Sequence, residues 1–424
     1  MREMKDSGVE WIGKIPNSWA SDKVKYHFSN TKRIVGTKVN EYQRLALTLK
    51  GVIKRSKDDN EGLQPSEFRG YQILKNGELV FKLIDLQNTA TSRVGLSSYT
   101  GIVSPAYIVL NGKDSIVPSF AEKYFLSMWY RNIFNHLGDS GVRSNLNAQE
   151  LLNVSIAYPN IMEQHKIADF LDQKCSEIDA LTADIQTQIE TLEEYKKSVI
   201  TEAVTKGLDP NVEMKDSGVE WIGEIPKEWN IIKAKYIFSQ RNERGNTKSL
   251  QLLSPTQKYG VIPQSMYEEL TGMKAVKLND KTDYSLLKTI HSGDFCISLR
   301  SFQGGFEYSD YEGVVSPAYQ IFYPTVSIVN KYYKFIFKDQ SFIEKMNSYT
   351  LSLRDGKNIA FDDFGNSYLP VPSLQEQQKI ADFLDKKCSE IDLTISEKQQ
   401  QLETLAEYKK SLIYEYVTGK KEVA

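Results

Sequence analysis

The chain repeats itself, and that repeat limits its architecture more than any other feature. Met4 to Trp19 reads MKDSGVEWIGKIPNSW, and MKDSGVEWIGEIPKEW returns at Met214 to Trp229, 210 residues later. HKIADFLDQKCSEID at His165 to Asp179 returns as QKIADFLDKKCSEID at Gln378 to Asp392, 213 residues later. EYKKS recurs at Glu194 to Ser198 and at Glu407 to Ser411. Between these ends the echoes are weaker: GIVSPAYIVL at Gly101 to Leu110 answers GVVSPAYQIF at Gly313 to Phe322, and Arg143 in SGVRSNL answers Arg354 in LSLRDGK. A period this long is no solenoid. It describes two copies of one module, each with a conserved opening, a divergent middle and a conserved close. Redundant copies would drift evenly along their length. Fixed ends and changed middles suit a shared task at the ends and separate tasks between them. The first copy leaves through VTKGLDPNVEMKDSG from Val204, and the chain closes on VTGKKEVA from Val417. The halves are therefore expected to join head to tail, with pseudo-two-fold symmetry and neighbouring termini.

The closing segments are helices built for other helices. Leu171, Ile178, Ile185, Leu192 and Val199 recur every seven residues, with Ile167, Leu181 and Tyr195 as companions and Lys174 and Gln188 as polar breaks. Ile380, Leu384, Ile391, Leu405 and Leu412 carry the seam of the second copy, with a break at Lys398. Glycine and proline are absent from both runs, and Pro159 and Pro372 precede them, where a proline can open a helix. Forty residues make a helix roughly 60 Å long. Head-to-tail closure predicts an antiparallel pair serving as spacer and as docking surface for partner chains. The expected interface residues are Ile167, Leu171, Ile178, Leu181, Ile185, Leu192, Ile380, Leu384, Ile391, Leu405 and Leu412.

The middles read as compact α/β or α+β domains. Strand-like runs are Leu45–Leu49, Gly77–Leu86, Ala106–Leu110, Asp294–Arg300 and Ala318–Tyr323, and helical runs are Ser119–Leu137 and Asn330–Met346. Basic and amide side chains gather in the turns between them. Arginine suits guanine edges, Asn and Gln suit adenine, and Lys and Ser suit phosphates. Lys50, Lys54, Arg55, Lys82, Arg93, Arg143, Ser144 and Asn145 are the DNA-binding candidates of the first copy. Gln257, Lys258, Tyr259, Arg300, Ser301, Gln303, Arg354 and Lys357 are those of the second. Trp11, Trp19, Trp221 and Trp229 in the openings suit either a core edge or an interface anchor.

The net charge of −2 hides an alternation. Ala20 to Thr100 holds 14 Lys/Arg against 8 Asp/Glu, and Asn230 to Asp310 holds 11 against 8. Glu163 to Ala203 holds 4 against 10, and Glu376 to Tyr416 holds 6 against 9. Basic middles attract phosphate, whereas acidic helices repel it. Cys175, Cys296 and Cys388 are few and far apart, which fits reduced thiols in a cytoplasm. The charged N-terminus is no secretory signal, and no apolar run is long enough for a membrane span. Catalytic signatures are missing: there is no GxxxxGK[ST] loop, no GxGxxG, and no metal spacing among His27, His136, His165 and His291. The acid pairs Asp58-Asp59 and Asp362-Asp363 suit solvated turns. Two rival readings stay open on the residues alone, an enzyme with a degenerate site in the middles and a protein adaptor that never touches DNA.

At this point the chain resembles the specificity subunits of type I restriction–modification systems. The resemblance rests on W-I-G-x-I-P-x-x-W at Trp11 to Trp19 and Trp221 to Trp229, on SPAY at Ser104 and Ser316, and on the turn around Arg143. It rests also on P-x-x-x-E-Q-x-K-I-A-x-F-L-D at Pro159 to Asp172 and Pro372 to Asp385. One departure is that Leu353-Arg354-Asp355 stands where the first copy has Gly141-Val142-Arg143. The resemblance implies two target-recognition domains, 1–158 and 211–371, and two conserved helical spacers, 159–210 and 372–424. It implies a non-catalytic, cytoplasmic subunit that reads a bipartite double-stranded DNA target and directs adenine methylation and restriction. Its implied partners are two modification subunits carrying S-adenosylmethionine and restriction/translocase subunits using ATP and Mg. No cofactor is expected on this chain, and no membrane partner.

Overall fold

A computed structural model of the chain describes residues 2–59, 65, 67–84, 86, 92–137, 145–244, 250–274, 283–297, 305–349 and 359–423. They fall into two compact units, Met1–Gln186 with Gln400–Ala424, and Thr187–Gln399.

In the first unit the opening segment is a small hairpin, Met4–Asp6 against Lys14–Pro16. Ala20–Lys23 then pairs with Ser155–Tyr158, the strand just before the first long helix, so the ends of the domain are tied together. Between them lie two four-stranded sheets. One is antiparallel, in the order Phe28–Asn30, Ile108–Gly112, Leu79–Phe81, Val94–Leu96. The other runs Gly51–Arg55, Arg44–Thr48, Gly101–Val103, Gln72–Leu74, with its two middle strands parallel. Among the described residues of the run Gly77–Leu86, Leu79–Phe81 form a strand. The run Ser119–Leu137 forms two helices, Pro118–Tyr130 and Ile133–Leu137, because Asn132 turns the backbone left-handed at φ 57°.

The second unit repeats this plan. Met214–Asp216 pairs with Glu224–Pro226, and Asn230–Lys233 pairs with Tyr368–Val371. Its antiparallel sheet runs Phe238–Arg241, Gln320–Pro324, Phe295–Ile297, Phe306–Tyr308. Leu253–Thr256 with Gly260–Pro263 and Lys288–Ile290 with Gly313–Val315 form two separate two-stranded sheets. The run Asn330–Met346 is again two helices, Asn330–Ile336 and Gln340–Ser348. Here buried Asp339 restarts the helix by accepting the Phe342 amide at 2.8 Å. Its carboxyl is pushed up by burial. The core is dense in aromatics, with Phe238, Phe295, Phe322 and Phe337 within ring contact of one another.

The opening tryptophans are core residues. Trp19 and Trp229 are fully buried, Trp221 is buried, and Trp11 packs edge-on to Tyr124 at 5.4 Å. In the first unit the tail closes over this segment: Lys420 donates to the Ile12 carbonyl at 2.9 Å, and Arg2 pairs with Glu422 at 2.6 Å.

The long helices span Ile161–Lys206 and Leu374–Val417. Asn160 and Ser373 cap them by accepting the amides of Glu163 and Glu376. The glutamine of the E-Q signature does a separate task. Gln164 is buried, accepts the Val117 amide at 2.8 Å and donates to the Pro159 carbonyl at 2.9 Å. Gln377 does the same for the Val329 amide at 2.9 Å and the Pro372 carbonyl at 3.0 Å. Each unit pairs its helix segments antiparallel. In the first, Phe170 stacks on Tyr416 at 4.6 Å, and Lys409 reaches Asp179 at 2.6 Å. In the second, Lys398 bonds Gln188, and Lys196 reaches Asp392 at 2.6 Å.

The companion stripe differs from the one the sequence suggests. Leu171, Ile178, Ile185 and Val199 are buried and Leu192 is half-buried, but their companions are Cys175, Thr182, Ile189 and Lys196, four residues on. Leu181 and Tyr195, three residues on, are each 47% exposed. Both spacings put a side chain near the seam, and the small Cys175 and the branched Ile189 are the pair that fits inside it. Cys388 repeats the arrangement in the second helix. All three cysteines are free and buried, and burial raises each thiol pKa.

Candidate nucleic-acid interface

Each unit projects a β-hairpin from a frame that is the same in both. In the first, Arg44–Thr48 and Gly51–Arg55 flank the tip Leu49-Lys50. In the second, Leu253–Thr256 and Gly260–Pro263 flank the tip Gln257-Lys258-Tyr259, one residue longer. Gly51 and Gly260 take the left-handed backbone that ends each turn, at φ 89° and 72°. Thr48 Oγ1 donates to the Gly51 carbonyl at 3.0 Å, and Thr256 Oγ1 donates to the Gly260 carbonyl at 3.0 Å. Under each hairpin lies a glycine-led strand. The Ile102 amide meets the Gln43 carbonyl at 2.9 Å, and the Val314 amide meets the Gln251 carbonyl at 2.9 Å. Any side chain at Gly101 or Gly313 would strike those carbonyls and the side chain of Leu45 or Leu253.

These neighbouring strands run parallel, with Ile102 beside Arg44 in one unit and Val314 beside Leu252 in the other. The S-P-A-Y turn that follows each glycine-led strand therefore emerges at the same end as the hairpin tip. Tyr107 donates its amide to the Ser104 carbonyl at 3.1 Å, and Tyr319 donates to that of Ser316 at 3.1 Å. Pro105, Ala106, Pro317 and Ala318 are exposed. Behind the first turn, buried Gln72 donates to the carbonyls of Ser104 at 3.0 Å and Tyr107 at 2.6 Å. At the matching sheet position, buried Lys288 donates to the Tyr319 carbonyl at 2.7 Å. Desolvation lowers the pKa of that ammonium. In the first unit a cleft of about 280 Å³ opens beside the turn, with Asn30, Lys32, Asn145 and Asn147 on its rim.

Several expected DNA-binding residues lie on these tips. Lys50, Gln257 and Lys258 are exposed, and Tyr259 is half-buried. Lys54 is exposed with its ammonium 4.8 Å from the Tyr99 ring centre, and Lys258 stands 5.1 Å from that of Tyr259. Asn145 is exposed at the cleft. Arg55 donates to Asp59 at 2.6 Å, and Lys82 is half-buried. Arg93 is a correction. It is 1% exposed, and its guanidinium donates to the carbonyls of Ile84 at 3.0 Å and Lys82 at 3.3 Å. A buried arginine that satisfies main-chain acceptors holds a loop in place and does not stand on the surface. Arg143, Ser144, Arg300, Ser301, Gln303, Arg354 and Lys357 lie outside the described residues. Counted back from the helices that follow, Arg143 precedes the cap residue Asn147 by four positions, whereas Arg354 precedes Ala360 by six.

The helical residues expected at a partner interface are largely enclosed by this chain, which corrects that expectation. Ile167, Leu171 and Ile178 belong to the core of the first unit, with Leu412 and the half-buried Leu405. Ile380 and Leu384 belong to the core of the second. Ile185 and Ile391 are buried and Leu192 is half-buried, so of this set Leu181 alone is well exposed. A heptad pattern records that a residue is covered but not by which chain. The exposed apolar residues are others, including Phe383, Leu393, Tyr195 and Tyr408. Sequence reasoning also missed Gln72, Lys288 and Lys32 as site residues. The repeated SPAY pointed to the turns, but nothing local marks a strand residue that reaches a turn some thirty positions away.

Among the described residues, no group of three or more His, Cys, Asp or Glu side chains is placed to hold a metal ion. No described helix is long and apolar enough to cross a membrane.

Residues 51–191 and 226–404 each match the type I restriction modification DNA specificity domain. The chain belongs to this family. It is a type I restriction–modification DNA sequence-specificity subunit with two recognition domains. Two relatives come from Methanocaldococcus jannaschii. The putative type I restriction enzyme MjaX specificity subunit is 26% identical over 321 residues, covering 73% of this chain and 69% of its own. The type I restriction enzyme MjaVIII specificity subunit is 26% identical over 368 residues, covering 82% and 80%. Solved structures share the fold. A chain from a structural study of complex assembly and conformational transition of the type I R-M system aligns with TM-score 0.69 at 13% identity, over 96% of this chain and 99% of that one. The HsdS subunit of Thermoanaerobacter tengcongensis aligns with TM-score 0.50 at 13% identity, over 96% and 98%.

Proposed function

We propose that each unit reads one half of a split double-stranded DNA target and that the chemistry belongs to other subunits. The observation that carries this reading is the pair of hairpins. Their frames agree down to the Thr–Gly hydrogen bond, while their tips differ in sequence and length. A constant frame presents a tip at a constant place, and a variable tip offers different donors and acceptors to base edges. Lys50 and Lys258 suit phosphate or guanine, and Gln257 suits adenine. The exposed Pro-Ala turn beside each tip adds an apolar contact of the kind that favours a thymine methyl.

The family supports the rest of the reading. The partners are two modification subunits, which carry S-adenosylmethionine and methylate adenine, and restriction/translocase subunits, which use ATP and Mg. The chain itself holds none of these cofactors, is not an enzyme, and works in the cytoplasm. The surfaces that dock the modification subunits include the exposed helical residues Leu181, Tyr195, Phe383, Leu393 and Tyr408.

The test is single-molecule sequencing of adenine methylation in cells that co-express the chain with its modification subunit. A split motif present only with the chain is expected, and exchange of one middle should alter one half of it. Methylation by the purified chain alone would favour an enzyme. An assembled complex that directs no methylation and binds no DNA would favour a protein adaptor.

A further inference from the structure

The two hairpins share a frame but do not rest on the same support. Under the first, the neighbouring strand Val94–Leu96 carries Gly95. A Cβ there would come within 2.7 Å of Leu47 Cδ1 and 3.2 Å of Val52 Cγ2, so hairpin side chains lie directly on that strand. Under the second, the matching strand Phe306–Tyr308 carries Glu307 in the same register position. Its side chain is 1% exposed. Both carboxylate oxygens accept from Lys338 Nζ, at 2.7 and 2.8 Å, and the same ammonium reaches the carbonyl of Gln257, in the hairpin tip, at 3.4 Å. The hairpin backbone also approaches this strand closely. A Cβ on Gly260 would stand 2.8 Å from the Tyr308 carbonyl, and Val261 bridges to Ser309. Lys338 follows the helix Asn330–Ile336, so a single side chain joins helix, strand and tip.

We propose that Glu307 and Lys338 are positioning residues for the Gln257–Tyr259 tip, so that their ion pair governs discrimination at the second half of the DNA target and leaves the first half unaffected. The inference rests on the reading of the hairpins as DNA readers. An ion pair with a buried carboxylate and a half-buried ammonium is directional where apolar packing is not, and it fixes the height of a tip that an apolar support would leave free to slide. The longer second tip needs that support, since its extra residue extends the lever beyond the Thr256–Gly260 bond.

Protonation adds a handle on the pair. Burial pushes the Glu307 carboxyl up to about 7, against the opposing pull of Lys338. Cys296, opposite it on the adjoining strand, is a buried neutral thiol. The folded state therefore holds this proton more tightly than the unfolded state does. Lowering the pH through 7 then favours the folded form and at the same time discharges the carboxylate that anchors Lys338. Loss of second-half discrimination on mild acidification would be a local release and not an unfolding contributed by this group.

The experiment uses the complex of the full chain with its modification subunits. Competition binding compares the cognate duplex with duplexes altered in the first or the second half, between pH 6 and 8. Lys338→Met is expected to cut discrimination at the second half about tenfold, the scale of one base-pair contact. Discrimination at the first half should be unchanged, and Lys338→Arg should restore the second. Equal discrimination by Lys338→Met and the wild type, or an equal loss at both halves, overturns the inference. A wild-type complex that discriminates at neither half instead overturns the reading of the hairpins as readers. If Lys338→Met does not assemble, hydrogen exchange on the chain carrying Glu307→Gln, which removes the charge without changing the shape, decides. Protection of 256–261 should fall in that variant relative to that of 48–52, and a ratio equal to that of the wild type overturns the inference.

Discussion

Replacing Gln164 by leucine tests how the conserved signature before each long helix works. The Gln164 side chain accepts the Val117 amide at 2.8 Å and donates to the carbonyls of Pro159 at 2.9 Å and Ser115 at 3.3 Å. Leucine is close in volume and removes all three bonds. Each lost bond is worth about 1 kcal/mol net, and an amide or carbonyl left buried without a partner costs about 1–3 kcal/mol. The added apolar burial of leucine offsets part of this, about 1 kcal/mol. The expected loss is about 2–4 kcal/mol, confined to the first unit. For a unit of this size that lowers its melting transition by about 5–15 °C. Calorimetry of the chain reads the size of the effect, and hydrogen exchange at the start of the Pro118–Tyr130 helix reads its place. Gln377→Leu should reproduce the loss in the second unit, through Val329 and Pro372. A shift under about 2 °C with unchanged exchange would refute the argument, because three hydrogen bonds in a buried site cannot be lost so cheaply.

Other outcomes follow from particular contacts. Arg93→Ala should destabilise the first unit by about 2–4 kcal/mol through unpaired Lys82 and Ile84 carbonyls and lost packing. Urea unfolding checks this, and a variant of wild-type stability with a selective loss of DNA affinity would return Arg93 to the DNA surface. Lys196→Asp should cost less than about 1 kcal/mol, since its bond to Asp392 is partly solvated, and Asp392→Lys in the same chain should recover it. A double-mutant cycle with no coupling would remove the pair as a register clip. One heptad added to each long helix lengthens it by about 10 Å, roughly three base pairs of DNA. Methylation mapping should then show a longer gap between unchanged half-motifs, and an unchanged gap would dismiss the helices as a ruler.

Much of the architecture was legible because the repeat samples the same physics twice. The run AYIVL returns as AYQIF, apolar enough in both copies to lie buried on a sheet, whereas LALTL returns as LSPTQ and keeps only its first leucine and its threonine. The heptads mark long helices because a seven-residue apolar period has few other uses. Boundaries were less legible. Gly77–Leu86 looks like one strand, yet among the described residues regular strand pairing covers Leu79–Phe81, with single backbone bonds at Gly77, Glu78 and Lys82. The companion stripe was misplaced because Leu181 and Tyr195 are apolar, while Thr182 and Lys196 are not, although Thr182 and Lys196 are the less exposed and Lys196 reaches Asp392 on the other helix. Hydrophobicity states what a residue prefers, but helix crossing geometry decides what it receives.

That this protein is a doubled module with a repeated frame and two different readers follows from the order of its residues. Identical segments fold alike, and charge alternation and missing catalytic motifs are properties of the chain alone. Which basic residues stand exposed and which are enclosed depends on how the folded chain packs. Arg93 and Lys54 are alike in composition, but the first is surrounded by carbonyls and the second lies over an exposed tyrosine. Only the fold could place Gln72 behind the Ser104–Tyr107 turn, or Glu307 and Lys338 beneath the Gln257 tip. The reason is that burial and electrostatic pairing depend on distance in space. Strand register and helix packing set that distance between residues that are remote along the chain.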